Sequence, residues 1–198
     1  MQKNYKTFVK EIVLCAIVIY VAIFLIFRRA EPYSYETFFG DIGYTSGLVT
    51  LLATTFNRLL WKISFLGKLF KVPNLNGEWE GNAHSNYGEG IDYTIKLKIK
   101  QTFLSTIVHA NFEKSQSDAF CAVFVHDENS DLTQLVYSYR NDPELEYRNK
   151  SENGVEGGLN IHYGTARLKI DFDDLTHLKG HYWNDRECTG TITLTKKR

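Results

Sequence analysis

The hydrophobic pattern changes its period near Pro73, and this change divides the chain in two. Before Pro73 the apolar residues come in long runs, of which the charge-free stretch at 12–27 is the clearest. After Pro73 apolar and polar residues alternate, as in IDYTIKLKIK at 91–100, and a period of two is typical of a strand with one face in water. The sequence therefore predicts a membrane-associated helical region over 1–72 and a β domain over 73–198.

The apolar run at 12–27 is expected to anchor the chain in a membrane. It has sixteen residues without a charge, followed by Arg28 and Arg29, and a spanning helix needs about 17 residues. A cleavable signal peptide is the alternative, because three lysines precede the run, but residues 24–29 lack a small-x-small cleavage site. A second, less apolar span is expected over roughly 42–60, and an interfacial amphipathic helix is the alternative there.

Charge sets the expected orientation of these spans. Residues 1–72 carry nine basic and four acidic side chains, whereas residues 73–198 carry fourteen and nineteen, so the net charge of zero hides a basic part and an acidic part. Basic residues precede the first span and follow the second, where a basic, membrane-hugging helix is expected. The positive-inside rule then places both termini, and with them the β domain, in the cytoplasm. Three cysteines without a paired spacing agree with a reducing compartment.

The second expected span has a face of small and hydroxylated residues. Such faces let helices approach closely and hydrogen-bond across their interface. The face packs either on the first span or on a second copy of the chain, and the sequence leaves both possibilities open. The residues predicted to pack in the membrane are Gly43, Gly47, Thr50 and Thr54.

Strand-like runs recur through the β domain and are separated by turn-forming residues. Eight or nine short strands are expected, without a helix, and sequential hairpins favour an up-and-down barrel. The runs are NGEWEG, IDYTIKLKIK, STIVHANF, AFCAVFVH, LTQLVYSY, LNIHY, ARLKIDF, LKGHYW and GTITLTK, and the turn segments include RNDPE and SENGVEGG. The predicted fold class is all-β: an eight-stranded, calycin- or lipocalin-like up-and-down β-barrel preceded by two N-terminal transmembrane helices.

The first strand of the domain carries a tryptophan between two glycines. Gly77, Trp79 and Gly81 share one face, so a large ring points inward between two positions without a side chain. The arrangement resembles the Gly-x-Trp opening of lipocalin and avidin-like barrels, in which the ring plugs one end and a basic residue near the last strand stacks on it. The resemblance implies Arg186 or Lys196 for that role. Core packing without ligand contact is the alternative for the tryptophan.

Aromatic, amide and basic side chains are expected to meet at one mouth of the barrel. The tyrosines of LVYSYRNDPE share a face that ends in an amide, and the face of LKGHYWNDRE ends in a second amide followed by an arginine. Rings stack on bases and a guanidinium pairs with phosphate, so this chemistry fits a planar, anionic ligand, although core packing is the alternative for each tyrosine. The candidate ligand-binding residues are Trp79, Tyr137, Tyr139, Asn141, His162, Arg167, Tyr182, Asn184 and Arg186.

The layout of the whole chain resembles the CD-NTase-associated two-transmembrane β-barrel effectors of bacterial cyclic-oligonucleotide-based antiphage signalling. The motifs that carry the resemblance are LNGEWEG, LVYSYRNDP, HYGTARLKI and LKGHYWNDRECTGTITL. The resemblance implies a barrel that captures a cyclic dinucleotide made by a partner nucleotidyltransferase, a CD-NTase. It also implies a multi-pass protein of the bacterial inner membrane that forms a homo-oligomer when loaded, disrupts that membrane and kills the infected cell.

The sequence predicts a binding protein and not an enzyme. The six histidines lack a metal-ligand spacing, the DFDDL segment is typical of a solvated turn, and no nucleophile elbow is present. Neither a metal nor another cofactor is expected, and neither DNA nor RNA is expected as a partner. Besides the ligand-gated effector, two classes remain open: a membrane-anchored lipocalin-like carrier of an apolar ligand, and a scaffold whose barrel is solidly filled.

Overall fold

The chain folds into a helical unit and a β unit, as a computed structural model of residues 2–27, 34–86, 90–148 and 159–197 describes it. By their internal contacts the two units are Met1–Ile63 and Ser64–Arg198. The second unit thus includes a short helix, α3 (Ser64–Phe70), ahead of its strands. The functional division into a membrane region over 1–72 and a ligand-binding domain over 73–198 stays a prediction.

The helical unit consists of two long helices that pack against each other, α1 (Gln2–Phe27) and α2 (Tyr35–Arg58). A capping box starts α2: the Ser34 hydroxyl accepts a hydrogen bond from the Thr37 amide, and the Thr37 hydroxyl accepts one from the Ser34 amide. The helix begins seven residues before the span predicted at 42–60. It ends at Arg58 and is followed by a 3₁₀ turn. The basic helix predicted after the second span is therefore a separate helix, α3, and not a continuation of α2.

Among the helices of the described residues, α1 alone is long and apolar enough to cross a membrane. Its stretch Val9–Ile26 has a mean hydropathy of 2.6, and none of it is buried. Glycines and threonines interrupt the apolar residues of α2 and lower its hydropathy. One of the two predicted spans therefore has a helix of suitable composition, and the second predicted span is not confirmed.

Eight antiparallel strands of the β unit close into a barrel in sequence order, with the first strand paired to the last. Each strand lies beside its sequence neighbours, so the topology needs no crossover. The strands are β1 (Gly77–Ser85), β2 (Ile91–Gln101), β3 (Thr106–Asn111), β4 (Ser115–Asp127), β5 (Leu132–Pro143), β6 (His162–Ile170), β7 (His177–Asn184) and β8 (Thr189–Lys196). The predicted all-β, eight-stranded, up-and-down barrel is confirmed.

Two of the predicted strand boundaries are wrong. The sequence predicts a turn at RNDPE, but β5 continues through Pro143, and Asn141 lies in the strand with 4% of its surface exposed. Residues 140–144 have the composition of a turn, but inward and outward residues continue to alternate past Tyr139. Likewise LNIHY and ARLKIDF are not separate strands, because 162–170 forms the single strand β6. The predicted loop SENGVEGG lies outside the described residues.

Strand β4 contains a β-bulge that reverses which residues face inward. The register with β5 shifts between Ala119 and Cys121, so that Phe120 and Cys121 are both exposed. Ser117 is buried before the shift, and Phe124 packs on the core after it. The two halves of β4 therefore alternate with opposite phase.

Trp79 fills the end of the barrel from which β1 starts. Its ring is fully buried, and its indole N–H donates a hydrogen bond of 3.0 Å to the Leu75 carbonyl. The Lys196 ammonium lies 5.4 Å from the ring centroid, as a cation–π contact. Lys196 is therefore the basic residue that stacks on the tryptophan, as one of the two predicted candidates. The other candidate, Arg186, lies at the far end of the barrel, in the turn between β7 and β8.

The segment between α3 and β1 is tied to the end of β2. Gln101, which is 6% exposed, accepts a hydrogen bond from the Leu75 amide (3.0 Å) and donates one to the Pro73 carbonyl (2.9 Å). Asn76 adds reciprocal hydrogen bonds with the Gln101 backbone. The chain therefore enters the barrel through a fixed connection, because these bonds satisfy backbone groups that are buried.

Gln101→Leu should destabilise the barrel, because it leaves the Leu75 amide and the Pro73 carbonyl buried without their hydrogen-bond partner. We expect the free energy of unfolding to fall by about 2–4 kcal/mol. Chemical denaturation of the full chain in detergent, followed by tryptophan fluorescence, measures it. Gln134→Leu is the control, since the Gln134 side chain makes no hydrogen bond to the described residues. Equal losses in both variants would contradict the assigned role of Gln101.

Candidate ligand-binding cavity

A cavity of about 800 Å³ lies inside the barrel at the end opposite Trp79. This volume is within the range of roughly 300–1,000 Å³ that small-molecule sites occupy. Its lining combines aromatic residues with polar and charged ones. The aromatic residues are Tyr93, Phe112, Tyr137, Tyr139 and Tyr182, and the polar and charged residues include Ser85, Asp92, Glu113, Lys114, Ser115, Ser117, Asn141, His162, Asn184 and Arg186.

The structure brings seven of the nine predicted ligand-binding residues together around this cavity. They come from the strand ends of β5, β6 and β7 and from the turn that follows β7, which the closure of the barrel places side by side. The seven are Tyr137, Tyr139, Asn141, His162, Tyr182, Asn184 and Arg186.

The other two predicted residues, Trp79 and Arg167, do not line the cavity. Trp79 is sealed into the opposite end of the barrel. Arg167 is exposed on the outer face, because its neighbours Ala166 and Leu168 alternate with it and Leu168 is fully buried. The Arg167 guanidinium lies 5.2 Å from the ring of Trp183, another outer residue. The prediction of Arg167 at the cavity mouth is wrong, because it followed charge and ignored the alternation of β6.

Buried tyrosines form the apolar part of the cavity wall. Tyr137 and Tyr139 are 4% and 9% exposed, with ring centroids 6.1 Å apart. Burial raises the pKa of both hydroxyls, so both stay neutral and keep their protons at physiological pH. Glycines make room for these rings: a Cβ at Gly164 would collide with the Tyr139 hydroxyl, and one at Gly190 would collide with the Tyr182 ring. Burial also raises the pKa of Tyr182.

Two serines of β4 hold the Asn141 side chain. The Asn141 amide nitrogen donates hydrogen bonds to the Ser117 hydroxyl (2.8 Å) and the Ser115 hydroxyl (3.1 Å). Because β4 and β5 pair Ser117 with Asn141, these contacts follow directly from the register of the sheet. Their consequence is a fixed polar group in an otherwise aromatic part of the wall.

The turn after β7 is organised by the Asn184 side chain. The side-chain oxygen of Asn184 (Oδ1) accepts hydrogen bonds from the Arg186 backbone amide (3.1 Å) and the Cys188 backbone amide (3.0 Å). This side-chain turn, together with Glu187 in the left-handed region (φ 60°), fixes the backbone on which Arg186 projects to the cavity. A cationic residue is thereby held at the cavity edge.

His162 lies between the amide of β5 and this turn. Its Nδ1 is 3.0 Å from the Asn160 carbonyl, an interaction in which the ring nitrogen donates. Burial lowers the pKa of His162, and the nearby Arg186 guanidinium acts in the same direction, whereas Asn160 and Asp185 oppose them. His162 is therefore neutral near pH 7 while the cavity is empty of anions.

Sequence reasoning missed several cavity residues. Ser115 and Ser117 lie inward at the start of β4, a strand predicted to begin only at Ala119. Their alternation with Ala119 was a usable signal. Lys114 lies in the turn before β4 and contacts the Tyr147 ring (5.2 Å), and no periodicity identifies a turn residue of this kind. Within the described part of the chain, no three His, Cys, Asp or Glu side chains are grouped as a metal site would require.

The fold and cavity are those of a closed β-barrel that encloses a space of small-molecule size. The family model described as "Cap15, cyclic dinucleotide receptor domain" matches residues 70–196. The chain is 34% identical over 152 residues to "CD-NTase-associated protein 15" of Yersinia aleksiciae, covering 76% of this chain and 68% of the relative. It is 27% identical over 155 residues to the protein of the same name from Staphylococcus schleiferi, covering 78% of each. The chain therefore belongs to the Cap15 cyclic dinucleotide receptor family, and the predicted relationship to CD-NTase-associated effectors is confirmed.

The depressed pKa of His162 predicts that anion binding is coupled to proton uptake. A bound phosphate would raise the His162 pKa, so the affinity should increase as pH falls from about 7.5 to 5.5, by about tenfold for each unit that the pKa rises. Calorimetry across this range, in buffers of different ionisation enthalpy, measures the affinity and the protons taken up. His162→Gln should flatten the profile, whereas His181→Gln, on the outer face of β7, should not. An unchanged profile in His162→Gln would contradict the prediction.

Proposed function

We propose that the barrel binds a cyclic dinucleotide in the 800 Å³ cavity, with bases against the tyrosines and phosphates toward Arg186 and His162. The observation that carries the proposal is the combination of ring faces and cationic side chains in one cavity of nucleotide size. Rings supply stacking surface for bases, and a guanidinium supplies charge-assisted hydrogen bonds to phosphate. Membership of a cyclic dinucleotide receptor family supports the same ligand. Binding, and not catalysis, is the proposed activity.

The lining of the cavity favours this ligand over an apolar one. An apolar ligand would have to desolvate the side-chain oxygen of Asn141 and the side-chain nitrogen of Asn184 without giving them a hydrogen-bond partner, which is costly. Glu113, Lys114 and Arg186 line the cavity, so a fatty-acyl chain would lie against charge. A cavity of this volume also argues against a solidly filled scaffold barrel.

We further infer that the chain is an antiphage effector anchored in the bacterial inner membrane by α1 and α2, with both termini in the cytoplasm. The exposed apolar surface of α1 supports the anchor. The relatives are named for association with a CD-NTase, an enzyme that would supply the messenger in the same compartment as the barrel. A cytoplasmic messenger requires a cytoplasmic barrel, in agreement with the positive-inside orientation.

Self-association of the loaded protein is the proposed step between ligand binding and membrane disruption. A ligand shifts an equilibrium only by binding one arrangement better than the other, so the loaded barrel must favour the assembled state. The small-residue face of α2 offers a surface for assembly, because Asp41 and Thr45 are buried while Gly43, Gly47, Thr50 and Thr54 are exposed. We propose that these four residues pack between copies in the membrane.

Arg186→Ala should weaken ligand binding. If the guanidinium meets phosphate, its loss removes about 1.5–3 kcal/mol of binding free energy, and the affinity of the parent should fall as salt rises. Calorimetry of the full chain in detergent with a panel of synthetic cyclic dinucleotides measures both effects. Arg167→Ala is the matched control, since it removes the same charge from the outer face. Equal affinity of the two variants, or no heat from the parent with any panel member, would contradict the assignment.

Gly47→Leu should block assembly without affecting ligand binding. A Cβ at Gly47 would meet nothing within 4 Å in the single chain, so the variant should insert and fold, whereas leucine would hold two helices apart. We expect normal nucleotide affinity, loss of messenger-dependent crosslinking and survival of cells that make the messenger. Leu48→Phe adds bulk on another face of α2, away from Gly43, Gly47, Thr50 and Thr54, and is the control. If the parent stays monomeric and the membrane stays polarised at saturating ligand, the effector mechanism is wrong.

A further inference from the structure

Two asparagine amides line the cavity, and in their local hydrogen bonds they point in opposite directions. An amide has a donor end and an acceptor end, so the end that is occupied by the protein decides which end is presented to a ligand. Asn141 is held by its nitrogen and Asn184 by its oxygen. The cavity therefore has an acceptor on β5 and a donor on β7.

The orientation of Asn184 follows from its partners. Both groups that it binds are backbone N–H groups, which can only donate, so the side-chain oxygen must face them. The amide nitrogen makes no hydrogen bond to any residue in 2–27, 34–86, 90–148 or 159–197. Because Asn184 lines the cavity, this NH₂ group is a fixed donor at the edge that also carries Arg186.

Asn141 presents the opposite polarity. Its nitrogen points to the serines of β4, its oxygen makes no hydrogen bond to the described residues, and only 4% of the residue is exposed. A carbonyl oxygen that faces a cavity requires a donor from the ligand to replace water. It would repel a phosphate, whose oxygens only accept. A nucleobase N–H, either an exocyclic amine or a ring imide, supplies the missing donor.

We propose that this pair of amides orients the ligand: Asn141 accepts a hydrogen bond from a base N–H, and Asn184 donates one to a phosphate oxygen beside Arg186. The inference rests on the proposed binding of a cyclic dinucleotide and specifies how that ligand lies in the cavity. One base edge faces β5, and one phosphate faces the turn after β7. The two amides thus separate the recognition of base and phosphate between neighbouring parts of one wall.

Aspartate substitutions test the two polarities, because Asp has the shape of Asn but no NH₂ group. Asn184→Asp keeps an oxygen for the Arg186 and Cys188 amides and turns the donor at the cavity into an acceptor. Asn86→Asp is its control: Asn86 accepts a hydrogen bond from the Thr189 amide (2.7 Å) at the same barrel end, but it does not line the cavity. Both variants carry the same added charge. Asn141→Asp keeps the acceptor that Asn141→Leu removes.

The probe is the tightest-binding member of a panel of synthetic cyclic dinucleotides of adenosine, guanosine, cytidine and uridine, titrated into the full chain in detergent. We expect Asn184→Asp to bind at least about tenfold more weakly than Asn86→Asp, and Asn141→Leu at least about tenfold more weakly than Asn141→Asp. Thermal melting identifies any variant that is unfolded, and Asn141→Ala replaces Asn141→Leu if the leucine variant is among them.

Equal affinity of Asn184→Asp and Asn86→Asp, in a parent that binds, overturns the donor role of Asn184. Equal affinity of Asn141→Asp and of the folded apolar variant at the same position overturns the acceptor role of Asn141. If the parent binds no panel member, the proposed function fails, and the orientation of the ligand fails with it.

Discussion

Closure of the sheet is the constraint on which the rest of the structure depends. Because β1 pairs with β8, every strand has a hydrogen-bonded neighbour on both sides, and the alternation of inward and outward residues is locked around the whole ring. The residues that face the lumen then differ only in their distance from either end of the barrel. Trp79 fills one end, aliphatic residues fill the middle, and aromatic and polar residues surround the cavity at the other end. A receptor thus results from a gradient of side-chain chemistry along a fixed frame.

Alternation was also the most informative property of the sequence. It predicted the barrel, the inward position of Trp79 and the convergence of Tyr137, Asn141 and Asn184, because these depend on a period of two and on the order of the strands. Errors arose where another criterion replaced it. Charge alone favours Arg167 at the cavity, but the alternation of β6 places it on the outer face. Composition predicts a turn at RNDPE, but Asn141 continues the inward series of β5.

Other features lay beyond local patterns. The hydrogen bonds of Asn141 to Ser115 and Ser117 depend on how β4 and β5 are paired, and a pairing register cannot be deduced from one strand. The acidic balance of the domain is likewise a poor guide to its cavity, because the Arg186 charge acts locally whatever the sum of distant charges. In the helical unit, the capping box at Ser34 sets where α2 begins, and the hydropathy of the sequence does not show this start.

The bulge in β4 separates two demands that would otherwise compete within one strand. The side chains before it line the cavity with Ser115 and Ser117, and those after it complete the apolar interior with Ala122 and Phe124. In a regular strand these two pairs could not all face inward, because odd-numbered and even-numbered residues point to opposite sides. The extra residue at the bulge brings both pairs to the lumen, so the deletion of Phe120 would turn one of the two pairs outward.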